Sequence, residues 1–389
     1  MNENNLELSV VMPCLNEADT LESCIAKAKD AIARHEIQGE VVIADNGSTD
    51  GSQAIAERLG ARVVNVIAKG YGNALMGGIA SARGRFVIMG DADDSYDFLE
   101  IPRFVDELRK GPDLVQGCRL PSGGGKILPG AMPFLHRWWG NPMFSFMVRT
   151  MFKAPVHDVY CGMRGFTKVA YEQLDMRCTG MEFATEMIIK TSRYKMNIAE
   201  VPITLHPDGR KAHAPHLKTF RDGWRTLRFF LMCSPRWLFL IPGICMFLGG
   251  IVGYALAMPG AQLFGATLDA HTLLVASLAL LLGHQAIFFA IFAKMFSINE
   301  RLMPEDPRMN RFFSVFDLEK GLLLGVAAVL AGFGLLGWAV LTWRTSGFGQ
   351  LSYAYTMRRV IPGVVLAALG TQTILSSFVI SILSLQRRR

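Results

Sequence analysis

The sequence predicts an α/β domain built on a mostly parallel, doubly wound sheet, followed by an α-helical transmembrane domain. Two observations carry this. Before about Trp237, short apolar runs alternate with helix-length segments; after it, four long stretches contain no Asp, Glu, Lys or Arg. A third observation, four aspartates within GDADDSYD (Gly90–Asp97), marks where the first domain does chemistry.

Leu8–Met12, Glu40–Ala44, Arg62–Ile67, Phe86–Met89 and Asp113–Gln116 read as strands. Most lack polar alternation, as parallel strands covered on both faces do. Between them Ala18–His35, Ser52–Leu59, Asn73–Ala82 and Ile101–Arg109 read as helices, which gives the βαβ series of a doubly wound sheet. Ligands bind such sheets beyond the carboxyl ends of the strands. Three polar motifs fall there: PCLNE (Pro13–Glu17) after the first strand, DNGSTDG (Asp45–Gly51) after the second, and GDADDSYD after the fourth. Taken singly, Asn16 and Ser48 also serve as helix caps, and DNGSTDG as a tight turn. Together, on one sheet edge, they point to a ligand. KGYGNALMGG (Lys69–Gly78) fails the dinucleotide fingerprint, because Leu75 holds the third glycine position. Its Gly72 marks either a close backbone approach to a ligand or a structural glycine turn.

The uncharged stretches are Trp237–Met258, Thr272–Ala293, Gly321–Trp343 and Val360–Leu385. At 1.5 Å per residue, about 22 residues reach roughly 33 Å, enough for a hydrocarbon core of about 30 Å. The alternative, four buried helices of a soluble domain, suits four uncharged segments in a row poorly. The start, MNENNLELSV, lacks the regions of a signal peptide, so the first 235 residues are expected in the cytoplasm. Lys294–Lys320 carries Lys294, Arg301, Arg308, Arg311 and Lys320, whereas Pro259–His271 carries no basic residue; with Arg387–Arg389 at the end, both termini are expected inside. Arg344, Arg358 and Arg359, in the last outer loop, run against that rule. Gly249 and Gly253 offer a surface for close helix approach, and with it an oligomer.

The chain is 51% hydrophobic and 19% charged over 389 residues, with a net charge of +7. That charge suits anionic lipids better than nucleic acid, because the basic residues concentrate beside the membrane segments. The seven cysteines form no CxxC pair and leave one over, which argues for a reducing compartment and against a disulfide framework or structural zinc. In KTFRDGWRTLRFFL (Lys218–Leu231), Lys218, Arg221, Arg225 and Arg228 form one helical stripe with Phe220, Trp224, Leu227 and Leu231 beside it. That pattern suits an amphipathic helix lying in the membrane interface; a helix packed on the first domain is the alternative.

PCLNE, Asp45 with NGSTDG, the DAD triplet at Asp91–Asp93, GCR (Gly117–Arg119), CGMRGF (Cys161–Phe166), GMEFATEM (Gly180–Met187) and EVPITLHPDGR (Glu200–Arg210) together resemble the family-two glycosyltransferases. The resemblance is nearest to their polyprenyl-phosphate members, the dolichyl-phosphate mannose and glucose synthase type, and covers about residues 6 to 232. It implies a GT-A nucleotide-sugar-binding domain over 1–215, ahead of the interfacial helix over 216–235 and the transmembrane domain over 236–389, with helices near 237–258, 272–293, 321–343 and 360–385, that charge and hydropathy mark. It also implies a divalent ion, Mg2+ or Mn2+, and transfer with inversion to a lipid phosphate at the inner, cytoplasmic membrane face.

Carried over by position, the resemblance has Asp45 and the segment Pro13, Leu15, Asn16 and Glu17 hold the nucleotide sugar, joined by Asn46, Gly47, Ser48, Lys69, Gly72, Asp91 and Ala92. Asp91 and Asp93 sit at the metal and diphosphate. Ser95 stands where mannose synthases place a metal-assisting glutamine, with Asp94 and Asp97 as substitutes. Magnesium and manganese take oxygen ligands, often one or two carboxylates plus substrate phosphates. The lipid phosphate is already anionic, so it attacks without a strong base; Asp158 either orients it or is a buried partner of Arg164. Arg119 and Arg137, flanking the glycine-rich loop SGGGK (Ser122–Lys126), are candidates for the acceptor phosphate, with Arg164, Arg210, Lys211 and Lys218. For Arg119 and Arg137 a solvated surface role is the alternative.

The leading expectation is therefore a hexosyltransferase using a nucleotide sugar, UDP-glucose first and GDP-mannose second, with polyprenyl phosphate as acceptor. A processive polysaccharide synthase is the alternative enzyme, but its Gln-x-x-Arg-Trp motif is absent: Phe134 precedes Arg137–Trp138, and Cys233 precedes Arg236–Trp237. A non-catalytic nucleotide-sugar-binding scaffold is the alternative outside enzymes, and the retained aspartates speak against it.

Overall fold

The computed structural model describes residues 6–210, 219–263, 265–300, 303–309, 311 and 317–385. Lys211, Lys218, Arg301 and Arg387–Arg389, and the side chain of Phe220, lie outside the described residues. The chain divides after Phe230 into two units.

The first unit is organised by β1 (Leu8–Cys14), β2 (Gly39–Asp45), β3 (Arg62–Asn65), β4 (Phe86–Met89), β5 (Leu114–Cys118), a short β6 (Lys126–Ile127), β7 (Arg164–Thr167), β8 (Ile198–Pro202) and a short β9 (Thr204–Leu205). Seven of these form one sheet in the order β3-β2-β1-β4-β7-β5-β8. All neighbours are parallel except β7, which runs antiparallel to both β4 and β5. Val10, Val11, Met12, Val42, Ile43, Val87 and Ile88 have no exposed surface, so consecutive residues of one strand are covered on both faces. That is the physical reason these strands carry no polar alternation. The sequence expectation of a mostly parallel doubly wound sheet holds. β7 was not expected; four residues inside a motif leave no periodicity to read.

Helices α1 (Leu21–Arg34), α2 (Ser52–Arg58), α3 (Tyr71–Ser81) and α4 (Ile101–Arg109) connect the first five strands. α1 buries Leu21, Cys24, Ile25, Ala28 and Ala31, the three- and four-residue spacing of one helical face. α4 buries Ile101, Phe104, Val105 and Leu108 on the same core; each such burial contributes about 1.5–3 kcal/mol. α1 begins three residues later than expected, because Glu17–Thr20 forms a turn, Thr20 N donating to Glu17 O at 3.1 Å. Strand register settles where the motifs emerge. Cys14 pairs with Asp45, Asp45 with Asn65, and Val11 with Met89, so PCLNE, DNGSTDG and GDADDSYD leave one edge of the sheet together.

α5 (Asn141–Phe152), α6 (Lys168–Leu174), α7 (Phe183–Arg193) and α8 (Thr219–Met232) complete the unit. Phe230 of α8 is fully buried edge-on against Phe144 and Phe152 of α5, centroids 5.8 and 6.0 Å away. Trp224 stays largely exposed with Arg221 and Arg228. One side of α8 thus packs on its own unit, while aromatic and basic side chains remain outside.

Among the described residues the second unit has four long helices: α9 (Ile241–Ala257, prolonged by a wider turn from Arg236), α10 (Ala270–Asn299), α11 (Leu318–Thr345) and α12 (Tyr353–Ser384). They hold 22 (with the turn), 30, 28 and 32 residues at mean hydropathies of 2.0, 2.1, 2.2 and 1.8, each long and apolar enough to cross a bilayer. α11 and α12 touch through glycine: a Cβ on Gly332 would fall 2.6 Å from both Gly363 O and Ala367 N. Gly253, expected to serve an oligomer, instead faces Ala276 of α10, where a Cβ would lie 2.7 Å from the alanine Cβ. Three helices outrun the uncharged stretches, α11 by taking in Glu319, Lys320 and Arg344. α10 continues through Lys294, which pairs with Asp306, and α12 begins before Arg358 and Arg359, placing both on the helix rather than in a loop.

Candidate functional site

The first two motifs are zipped to each other. Asn16, at φ 61°, donates its N–H to Ser48 Oγ (2.9 Å) and accepts from Thr49 N at Oδ1 (2.8 Å). Glu17 N donates to Ser52 Oγ (3.1 Å) and Ala18 N to Asp50 Oδ2 (2.9 Å). Asp45, 1% exposed, accepts from Gly47 N (3.0 Å), Ser48 N (3.2 Å) and Gln53 Nε2 (2.6 Å), which holds its carboxyl below the usual range against the opposing effect of burial. Asn46 sends Nδ2 to Val66 O and Ala68 O and accepts from Gly70 N, while Lys69 Nζ donates to Asn46 O. Asp45 and Asn46 therefore shape the loop walls, and Leu15, Gly47 and Thr49 are left exposed on them.

The aspartate cluster sits beside this wall. Tyr71 Oη donates to Asp91 Oδ1 at 2.9 Å. Burial, then the nearby charge of Asp93, pushes the Asp91 carboxyl up to about 6. Asp93 Oδ1 accepts from Ser95 N (3.1 Å) and Ser95 Oγ (2.5 Å). Its Oδ2 pairs with Arg210 Nη2 (3.2 Å), and the same guanidinium reaches Glu17 Oε2 (2.7 Å) and Asp208 Oδ2 (3.1 Å). Two carboxylates set side by side, one of them raised by the charge of the other, are a place that favours a cation. Their hard oxygens fit Mg2+ or Mn2+ with further positions filled by phosphate and water. Among the described residues no group of three or more His, Cys, Asp or Glu forms a closed metal cage.

The third layer is cationic. Arg119, 8% exposed, meets the fully buried Asp158 in a two-pronged pair, Nε to Oδ2 at 2.7 Å and Nη2 to Oδ1 at 2.9 Å. Its Nη1 reaches Tyr96 Oη (3.4 Å), which accepts from Gly162 N (2.8 Å). A Cβ on Gly162 would lie 2.6 Å from Asp91 Oδ2, so CGMR needs its glycine to pass under the aspartate. Glu200 fixes the turn before Asp158, accepting from His157 N (2.6 Å) and Asp158 N (3.3 Å) and bonding His157 Nδ1 (2.6 Å). Burial, with the charge of Arg119, lowers the pKa of His136. Arg137 stacks over Trp138 at 5.4 Å.

Comparison with known proteins decides the family. A Glycosyl transferase family 2 model matches residues 9–175, and a Glycosyltransferase family 2 C-terminal transmembrane region matches 291–384. The low-salt glycan biosynthesis hexosyltransferase Agl6 of Haloferax volcanii is 38% identical over 374 residues, 96% of this chain and 88% of that protein. The chain is a family 2 glycosyltransferase. A dolichyl-phosphate hexose transferase of the same organism is 33% identical over 218 residues, 56% of this glycosyltransferase and 89% of that protein. Among solved structures, glucosyl-3-phosphoglycerate synthase from Mycobacterium tuberculosis with Mn2+, UDP and glucosyl-3-phosphoglycerate is 23% identical at a TM-score of 0.42, covering 58% and 78% of the two chains, a likeness too loose to carry chemistry across. The glycosyltransferase is thus an enzyme with a GT-A domain, and its transmembrane region makes it a membrane protein.

Several expected site residues of the glycosyltransferase stand elsewhere than the sequence suggested. Arg164 has no exposed surface and donates to Ala184 O (2.5 Å) and Cys161 O (2.6 Å), so it braces the fold and does not face a phosphate. Asp158 is indeed buried and paired, but with Arg119. Asp94 turns to Lys27 (2.7 Å) and Ser23 (3.0 Å) on α1, and Asp97 caps the turn at Leu99 (3.0 Å), so both are engaged away from Asp91. Ser95 orients Asp93. Arg210 is paired with Glu17, Asp93 and Asp208. Gly72 is close to the chain itself: a Cβ there would collide with Cys178 O and lie 2.8 Å from Thr179 C. Gly72→Ala is accordingly expected to lower stability by about 1–3 kcal/mol, read as a lower melting temperature, with nucleotide affinity per folded molecule unchanged.

Sequence reasoning missed Tyr71, Tyr96, His157 and Glu200. Tyr71, Tyr96 and Glu200 lay inside quoted motifs but were overlooked beside their glycines and acids, and His157 stood next to Asp158. It also missed an exposed apolar patch, Phe134, Leu135, Trp138, Trp139, Met143 and Phe146, on the turn at 136–140 and α5. The signal was present: seven large apolar residues within 13 positions, of which only Phe144 is buried.

Proposed function

We propose that this glycosyltransferase moves one hexose, with inversion, from a nucleotide sugar to a polyprenyl phosphate at the cytoplasmic membrane face. One observation carries the reading: Asp91 and Asp93 lie on the same strand-end edge as the zipped PCLNE and DNGSTDG loops, with Arg119 and Arg210 as cations beside them, in a chain that spans the membrane. The names of the Haloferax volcanii relatives support hexose as the sugar and a lipid phosphate as the acceptor. UDP-glucose is the first donor to test and GDP-mannose the second.

In this reading, Leu15 and Gly47–Thr49 flank the nucleoside. Asp91 and Asp93 hold Mg2+ or Mn2+, which when bound offsets charge on the departing diphosphate. The lipid phosphate oxygen attacks the anomeric carbon, and the electron pair of the broken C–O bond leaves with the nucleoside diphosphate. Asp158 holds Arg119 in place, so the guanidinium is fixed before substrate arrives. The exposed patch Phe134–Phe146 and the outer side of α8 suit contact with acyl chains, which brings the lipid phosphate toward Arg137. Basic residues after α10 support a cytoplasmic catalytic unit. The decisive experiment offers a panel of labelled nucleotide sugars to the purified enzyme with polyprenyl phosphate. Transfer from one donor into a single-sugar lipid is expected; polymer or no lipid product overturns the reading.

Arg137→Ala separates acceptor from donor. Donor binding by calorimetry is expected near wild type, with glycolipid formation reduced at least about tenfold, toward the 10²–10³ typical of losing one charge-stabilising donor. Arg137→Lys is expected to recover only part, since it lacks the planar fork. A parallel fall in donor affinity assigns Arg137 to the donor site or the fold.

A further inference from the structure

One end of the membrane unit, where α9 and α11 finish and α10 and α12 begin, carries three arginines that ran against the charge rule in the sequence. The structure gives them different environments. Arg358 donates through Nε (3.2 Å) and Nη2 (3.1 Å) to Asp269, the residue preceding α10, and has its counter-ion within the chain. Arg344 is exposed. Arg359 lies with its Cζ 4.0 Å from the Trp338 centroid and 3.8 Å from the Tyr355 centroid, in the wedge between two rings 6.1 Å apart and tilted by 58°. Tyr355 stands one turn before it on α12, and Trp338 comes from α11.

Stacking engages the faces of a guanidinium and leaves its in-plane N–H donors untouched. Among the described residues, no carboxylate or carbonyl accepts from Arg359. A cation held between aromatic rings with its donor edge unanswered is oriented for an anion. Its depth says which. Trp338 lies about 10 Å from the end of α11 and Arg359 about 9 Å from the start of α12, at 1.5 Å per residue. Helices of 28 and 32 residues exceed a core of about 30 Å by roughly 12–18 Å in total, which sets both side chains near the level where acyl chains meet headgroups. At that level the abundant planar-fork partner is a lipid phosphate.

We propose that Arg359, Trp338 and Tyr355 form a binding site for the phosphate of a membrane lipid in the leaflet at this end of the bundle. The site is independent of the donor and acceptor reading above. It explains why basic residues stand where the charge rule disfavours them: Arg358 has an internal counter-ion and Arg359 a lipid one.

Native mass spectrometry of the full-length protein in detergent tests this, titrated with dioleoylphosphatidylglycerol, with dioleoylglycerol, or with inorganic phosphate. Wild type is expected to retain one tightly held phosphatidylglycerol, no dioleoylglycerol, and to keep the lipid in excess inorganic phosphate. Arg359→Gln should weaken that retention about tenfold or more; Arg359→Lys should restore only part, and Arg344→Gln should change nothing. If Arg359→Gln does not fold, Trp338→Leu keeps the charge and removes one face, and should weaken retention about two- to fivefold. Equal retention by Arg359→Gln (or by Trp338→Leu in its place) overturns the proposal. So does equal retention of dioleoylglycerol, which marks an acyl groove, or displacement by inorganic phosphate, which marks a free-anion site.

Discussion

Asp93→Asn is expected to cut glycosyl transfer by at least about 10²–10³ while leaving the protein folded. The two halves of that expectation come from different atoms. Asparagine keeps an oxygen for Ser95 N and Ser95 Oγ, so the turn at 93–95 survives. Arg210 loses a charged partner at 3.2 Å but retains Glu17 and Asp208. What disappears is one of the two negative charges that favour a cation beside Asp91. Initial rates across a Mn2+ titration, beside thermal unfolding, check both halves. Excess EDTA should reproduce the loss in wild type. A variant keeping more than about a tenth of the wild-type rate removes Asp93 from the reaction.

Asp158→Ala should act mainly on the fold. Arg119 and Asp158 are 9% and 0% exposed at their side chains, and deleting one partner leaves the other's charge without compensation. Breaking such a buried pair costs about 3–5 kcal/mol, whereas replacing both partners by apolar groups is often neutral. The apparent melting temperature is therefore expected to fall by about 10 °C. Adding Arg119→Met should recover much of it without recovering transfer, because the cation itself is gone. If the double variant regains activity, Arg119 has no part in the chemistry.

The legible parts of this protein were those whose physics is local. Strands buried on both faces show as unbroken apolar runs, and membrane helices as stretches without charge. The run of aspartates after Met89 stood out because acids seldom follow a buried strand without cause. Other features depend on partners distant in sequence. Nothing in CGMRGF announces that Arg164 points inward to Ala184 O, or that β7 slots between β4 and β5. Asp94 and Asp97 look like Asp93 in sequence, and only the placement of Lys27 and of the Leu99 N–H separates their tasks. Reading helices by absence of charge started α12 at Val360, although the helix already runs from Tyr353 through an arginine whose charge rests on aromatic rings.

The placement of β7 also has a consequence for biosynthesis. β3, β2, β1 and β4 can assemble as soon as residue 89 has left the ribosome, since each neighbours another among them. β5 cannot join, because its neighbours are β7 and β8, and β8 ends at Pro202. At roughly 5–20 residues per second, β5 waits several seconds with both edges unpaired. The sheet closes only shortly before the first apolar helix, from Arg236, emerges for insertion. Nascent chains of this enzyme should thus be most prone to aggregation while β5 waits, and slower translation between residues 118 and 164 should lengthen that exposure.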